Sequence, residues 1–190
     1  MQSLRLFLAI DVSSGVKTRA NDLIDQWSES GAAVNWMPTE QMHLTLNFLG
    51  DVPVEDSPAV CRIAKEVAAA HPPFSLTVKG AGAFPNLDSP RVVWLGVEEG
   101  SEWLKMLQRD LEQQLGKAGF AIENRAYSPH LTLGRVMKSG GSLEELVAWI
   151  RRTQHYNAGP THVDEVLVMS SVQERGSTLY HTVCRAPLGR

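Results

Sequence analysis

Apolar positions along this chain fall into short continuous runs suited to strands, separated by stretches where they recur every three or four residues, as on one helix face. Leu4 to Ile10 is the first run and reads as a buried strand closed by Asp11. Ser13 and Ser14 can cap a helix running to about Ser30, with Val16, Ala20, Leu23, Ile24 and Trp27 on one face. Short strands are expected at Val34 to Met37 and Met42 to Leu49, the latter stopped by Gly50, Asp51 and Pro53. A second helix should begin near Ser57-Pro58, bury Val60, Ile63, Ala64 and Val67, and end before His71-Pro72-Pro73. Phe74 to Val78 and Val92 to Val97 read as strands around a Gly- and Pro-rich loop from Gly80 to Arg91. Ser101 to Lys117 predicts a helix with Trp103, Leu104, Leu107, Leu111 and Leu115 inward. A strand at His130 to Val136, a Gly140-Gly141 break, a helix from Ser142 to about Arg152, and strands near Val163 to Ser170 and Thr178 to Cys184 complete the pattern. The expected class is α+β, a single two-lobed domain over residues 1–190 with approximate internal symmetry.

Composition narrows the functions open to such a domain. With 190 residues, 43% hydrophobic and 21% charged, the chain can bury a substantial core. A net charge of −3 excludes a protein that coats nucleic acid through a broad basic surface, so any nucleic acid must be met locally at a pocket. Cys61 and Cys184 form neither a CxxC pair nor a disulfide-dense framework, which fits a reduced, cytoplasmic setting. The apolar start is too short to span a membrane and carries no signal-peptide cleavage region, so no membrane partner is expected.

The tetrapeptide His-Leu-Thr-Leu occurs twice, at His43-Leu44-Thr45-Leu46 and His130-Leu131-Thr132-Leu133, each inside a strand-like run. Alternation along a strand turns His43 and Thr45 to one face and the leucines to the other, and the second copy does the same. The leucines can anchor the strands while the polar pairs face a shared cleft. Two imidazoles can supply a general base and a general acid near neutral pH, and two hydroxyls can donate hydrogen bonds to non-bridging oxygens. In-line displacement at phosphorus needs groups on opposite sides and donors around the equatorial charge, which two such units provide without a metal. A zinc site is the rival reading, but no Cys, Asp or Glu stands at a spacing that completes a ligand set, and Thr is a poor zinc ligand. No metal and no cofactor are therefore expected. His71, His155, His162 and His181 share no such context and read as surface or loop histidines.

Four segments together resemble the 2H phosphoesterase superfamily, and within it the RNA 2′,3′-cyclic phosphodiesterases historically called 2′-5′ RNA ligases. They are Arg5-Leu6-Phe7-Leu8-Ala9-Ile10, Trp36 leading to His43-Leu44-Thr45-Leu46-Asn47-Phe48-Leu49-Gly50, Arg91-Val92-Val93-Trp94-Leu95-Gly96, and Arg125-Ala126-Tyr127-Ser128-Pro129-His130-Leu131-Thr132-Leu133-Gly134-Arg135. Tyr127 departs from the Phe usual there. The resemblance implies a bilobal fold of two antiparallel sheets facing a central cleft with helices outside. It implies hydrolysis of RNA or nucleotide 2′,3′-cyclic phosphate ends to 2′-phosphomonoesters. His43 would be the acid for the departing 3′ oxygen, His130 the base for water, and Thr45 and Thr132 the phosphate clamps. Partners are RNA ends or small cyclic nucleotides, and a monomer is expected. Two further readings stay open: 2′-5′ joining as the physiological direction, and a nucleotide- or RNA-binding module without turnover.

Five residues are candidates for substrate contacts. Arg135 can pair with phosphate. Phe48 lies off the face of His43, Thr45 and Asn47, so on an ideal strand it is core, and it can stack a base only if the strand is bulged. Arg91 can line the groove after the Phe84 to Pro90 loop, and Arg125 and Tyr127 can reach ribose or base. Trp36 and Trp94 are expected to be core aromatics.

Overall fold

The computed structural model describes residues 2–123, 125–137, 143–174 and 177–189. Strands β1 (Ser3–Asp11), β2 (Val34–Trp36), β3 (His43–Pro53), β4 (Phe74–Phe84), β5 (Val92–Val97), β6 (His130–Val136), β7 (Asn157–Val163), β8 (Glu165–Glu174) and β9 (Ser177–Pro187) interleave with helices α1 (Ser14–Ser28), α2 (Ser57–Ala69), α3 (Ser101–Lys117) and α4 (Glu144–Arg152). α1 is capped as its sequence predicts, the Ser13 hydroxyl accepting from Val16 N at 3.3 Å, and all five apolar residues on its inner face are buried. α3 has the expected bounds, but Trp103 is half exposed and Gln108 is buried in its place. The inward stripe Leu104, Leu107, Gln108, Leu111 and Leu115 keeps helical spacing, and Trp103 sits one step off its edge.

All strand pairings are antiparallel, in the order β7-β4-β5-β6-β3-β1-β8-β9 with β2 added to β6. The two-lobed α+β arrangement is the observed one, and the sheets of the two lobes join edge to edge into a curled half-barrel. Their junction is the β3–β6 contact, where Leu44 lies opposite Leu131. Beyond it β2 takes over the free edge of β6, Val34 to Trp36 pairing with Val136 to Gly134, so β3 and β6 part company. Gly134 permits that: a Cβ there would meet Val34 Cγ1 at 2.6 Å and Trp36 at 2.8 Å.

Several strands depart from the pattern reading: β8, expected near Val163 to Ser170, runs from Glu165 to Glu174, and β9, expected near Thr178 to Cys184, runs from Ser177 to Pro187. β3 does not stop at Gly50-Asp51 but continues to Pro53, because Leu4, Arg5 and Leu6 of β1 go on pairing with Val52, Asp51 and Gly50. β4 runs through Gly80 to Phe84 with β5 on one side and β7 on the other, which shortens the expected loop. β7 escapes a propensity reading because Gly159 and Pro160 interrupt it, and both are tolerated since β7 is an edge strand. α4 is observed from Glu144, while the Gly140-Gly141 break and Ser142 lie outside the described residues.

Leu44, Leu46, Leu131 and Leu133 are all buried on the helix side of the sheet, with Leu6, Leu8 and Ile10 of β1 and Leu104, Leu107, Leu111 and Leu115 of α3 in the same core. Among the described residues no helix is long and apolar enough to cross a membrane. Leu131→Ala removes a fully buried side chain at the junction and should destabilise the fold by about 2–5 kcal/mol. Urea unfolding measures this, and a cost below about 1 kcal/mol would mean that the junction is not a packed seam.

Candidate active site

The register at the junction builds the site. Because Leu44 and Leu131 oppose each other with their side chains in the core, His43, Thr45, His130 and Thr132 emerge on the other face. Antiparallel pairing sets Thr132 next to His43 and His130 next to Thr45 across the same seam. All four are half-buried, and a charge on His130 is felt at His43.

Each imidazole is held in the same way. His43 Nδ1 donates to the Gln41 carbonyl at 2.7 Å, and His130 Nδ1 donates to the Ser128 carbonyl at 2.8 Å. Both acceptors lie two residues upstream, so each ring keeps its proton on Nδ1 and leaves Nε2 for exchange with a ligand. Aromatic rings enclose both. Phe7 lies tilted over His43 at 5.0 Å and Tyr180 meets it edge-on at 5.2 Å and 87°. Phe84 meets His130 edge-on at 4.9 Å and 87°, with Trp94 at 6.5 Å. Trp94 is seated by Gly82, where a Cβ would come within 2.5 Å of the indole.

Burial in these aromatic surroundings lowers the pKa of both imidazoles below the usual 6.5. The charges around them differ. Asp11 is the strand partner of His43 and favours its protonation, opposed by Lys17, which pairs with Asp11 at 2.8 Å. His130 faces Gly96 across its own ladder, and Arg125 and Arg135 push its pKa further down.

The duplication extends past the tetrapeptide in a form the sequence conceals. In β3 the pairing passes from Thr45↔Ala9 to Asn47↔Leu8, leaving Leu46 as an extra residue. In β6 it passes from Thr132↔Trp94 to Gly134↔Val93, leaving Leu133 as the extra residue. The same bulge at the same place reverses the alternation, so the fifth residue after each histidine returns to the cleft side. Phe48 is therefore exposed rather than core, with Asn47 buried instead, and Arg135 is exposed likewise. Phe48 also touches Phe7, ring centroids 5.9 Å apart.

The remaining candidates are spread around this centre. Arg125 is exposed and clamps Glu123 through two hydrogen bonds of 3.1 Å. Tyr127 is half-buried and its hydroxyl donates to the Thr45 carbonyl at 2.9 Å, so it braces the first motif strand. Phe48, Arg125 and Tyr127 line one small cavity with Asn47, whose buried Oδ1 has no partner among the described residues. Arg91 is exposed at the start of β5, its backbone bonded to Phe84 O and Val136 N. Phe7, Phe84, Tyr180 and the backbone of Gln41 and Ser128 went unread in the sequence, and Trp94 lines the site where a core role was expected. Phe7 and Ser128 stood inside quoted segments and Gln41 lies two residues before His43, whereas Phe84 and Tyr180 are joined to the histidines only by tertiary contacts. Among the described residues no group of three or more His, Cys, Asp or Glu gathers as metal ligands do.

Comparison with known proteins places these features in a family context. The model for the 2′-5′ RNA ligase superfamily matches residues 16–175. The RNA 2′,3′-cyclic phosphodiesterase of Methanothermobacter thermautotrophicus is 34% identical over 177 residues, 93% of this chain and 95% of that protein. The protein of the same name from Thermotoga maritima is 39% identical over 147 residues, 76% of each. Among solved structures, E. coli LigT complexed with 3′-AMP superposes over 100% of both chains with a TM-score of 0.77 and 29% identity.

The lowered pKa values carry a sign for stability. Folding disfavours both imidazolium forms, so as pH falls below about 6.5 the unfolded chain takes up protons that the folded chain refuses. Stability contributed by the neutral rings above that pH is lost as pH falls through the folded values. Urea unfolding at pH 7.5 and 5.5 should show a smaller loss over this interval for the double variant His43→Gln, His130→Gln than for the wild type. Equal losses would mean that the two rings titrate as they do in water.

Proposed function

The chain belongs to the 2′-5′ RNA ligase superfamily, and on that premise we propose that it hydrolyses 2′,3′-cyclic phosphodiester ends of RNA or nucleotides to 2′-phosphomonoesters, by acid–base catalysis between His43 and His130 without a metal. In this reading it works as a monomeric, cytoplasmic enzyme in which residues 1–190 form one two-lobed domain. The observation that carries the reading is the Leu44–Leu131 register, which turns two Nδ1-anchored imidazoles and two threonines to one face. The names of the relatives, cyclic phosphodiesterases of comparable length, point to the same substrate class.

The cyclic phosphate lies between the two imidazoles with its non-bridging oxygens on the Thr45 and Thr132 hydroxyls. His130 Nε2 takes a proton from water as the water oxygen bonds to phosphorus. The bond to the 3′ oxygen breaks, and His43 Nε2 gives that oxygen its proton, leaving a 2′-phosphate and a free 3′-hydroxyl. Proton exchange with solvent then restores both rings. The local charge supports this direction. Burial lowers both imidazoles, but at His43 Asp11 works against that shift, itself offset by Lys17 and His130, whereas at His130 Arg125 and Arg135 add to it. The contrast suits His43 better to the acid and His130 to the base. Arg135 and Phe48, brought to the cleft by matching bulges, are suited to phosphate and to a stacked base. Arg91 and Arg125 add positive charge at the rim.

The superfamily's name favours a second outcome at the same centre. If a 5′-hydroxyl replaces water as the nucleophile, the same loss of the 3′ oxygen leaves a 2′-5′ linkage. Hydrolysis and joining then differ only in what occupies the nucleophile's place.

Incubating the protein with an RNA ending in a 2′,3′-cyclic phosphate should give a 2′-phosphate by phosphorus NMR, unchanged by EDTA. His43→Ala and His130→Ala should each slow this by about 10²–10⁴. Full activity in either variant, or loss on chelation, would overturn the mechanism. A longer product from added 5′-hydroxyl RNA would favour joining, and tight nucleotide binding with no turnover would reduce the cleft to a recognition site.

A further inference from the structure

The two imidazoles are related by the fold, yet among the described contacts only at His43 does the residue whose carbonyl holds Nδ1 also bond through its side chain to a distant strand. Gln41, whose carbonyl accepts from His43 Nδ1, also sends its side-chain Nε2 to the Thr178 carbonyl of β9 at 2.9 Å. Two residues further along β9, Tyr180 stands edge-on to His43 and also contacts Phe7 at 5.2 Å and 72°. These contacts close a ring: Gln41 to His43, His43 to Tyr180, and Thr178 on the same strand back to Gln41. His130 has no counterpart, since among the described contacts Ser128 contributes only its carbonyl, and Phe84 and Trp94 come from the β4–β5 side of its own lobe.

We propose that Tyr180 and Gln41 form a clasp through which the β8–β9 hairpin sets the orientation and water exclusion of His43, making them positioning residues for one imidazole of the pair. The Tyr180 ring, packed against His43 and Phe7, fixes the plane in which Nε2 can point. It also keeps water from the imidazole. Among the described residues the Tyr180 hydroxyl has no hydrogen-bond partner, so the ring carries the effect. The groups facing His43 are Asp11 from β1, Lys17 from α1 and His130 from β6, with Tyr180 the titratable neighbour from β9. None of these others changes when Tyr180 is truncated, so a shift in His43 reports the ring itself. The inference that this orientation serves catalysis rests on the proposed cyclic phosphodiester hydrolysis. Its primary readout needs no substrate and stands or falls separately.

The test is NMR titration of the His43 and His130 imidazoles in the full chain. Tyr180→Ala should raise the His43 pKa towards 6.5 and leave His130 in place, whereas Phe84→Ala should move His130 and leave His43. Gln41→Ala should move His43 in the same direction as Tyr180→Ala, and Tyr180→Phe should match wild type. With a cyclic phosphate substrate, Tyr180→Ala should lower kcat by about tenfold or more with a much smaller change in KM, as expected for a misaligned proton donor. An unmoved His43 in Tyr180→Ala or Gln41→Ala overturns the clasp. Loss of activity in Tyr180→Phe overturns it too, by showing that the hydroxyl acts on substrate directly. Tyr180→Phe and Gln41→Ala leave packing nearly intact and decide the matter even if Tyr180→Ala unfolds.

Discussion

Leu44 opposite Leu131 is the contact from which the rest of the molecule's chemistry follows. Two fully buried leucines at the seam between lobes contribute a few kcal/mol to the core. Their larger consequence is geometric, because strand alternation converts their inward orientation into an outward one for the four neighbouring polar side chains. A slip of one residue at the seam would send the imidazoles into the core and the leucines into the cleft. Apolar packing thus specifies the position of the reactive groups more strictly than any hydrogen bond between them could.

Symmetry at the seam is then broken by its surroundings. Both histidines use an upstream carbonyl and an edge-on ring, and both strands carry a bulge at the following leucine. What the bulges deliver differs: an aromatic ring on one side, a guanidinium on the other. The charge environment differs as well, with a carboxylate beside His43 and two guanidinium groups near His130. A symmetric frame with asymmetric fittings suits a reaction that needs one proton donor and one proton acceptor on opposite sides of phosphorus.

Much of this could be read from the chain itself. The repeated His-Leu-Thr-Leu marked the four central residues, and helical periodicity placed α1, α2 and α3 because long amphipathic patterns carry a redundant signal. The misses have physical causes. β7 contains Gly159 and Pro160, which read as a loop until edge pairing to β4 explains them. Phe48 defied alternation because a bulge depends on the partner strand, which one strand's sequence does not state. Tyr180 and Phe84 reach the histidines through tertiary contacts far apart in sequence, and Tyr127 became a brace on Thr45 through a hydrogen bond across the fold.

The central claim is that both imidazoles serve one phosphate. Titrating the protein with a 2′-nucleotide while following the Nε2 resonances of His43 and His130 tests it most directly. Both signals should shift together with a single Kd, and both pKa values should rise as the anion binds. Movement of one ring alone, or two different binding constants, would contradict the account.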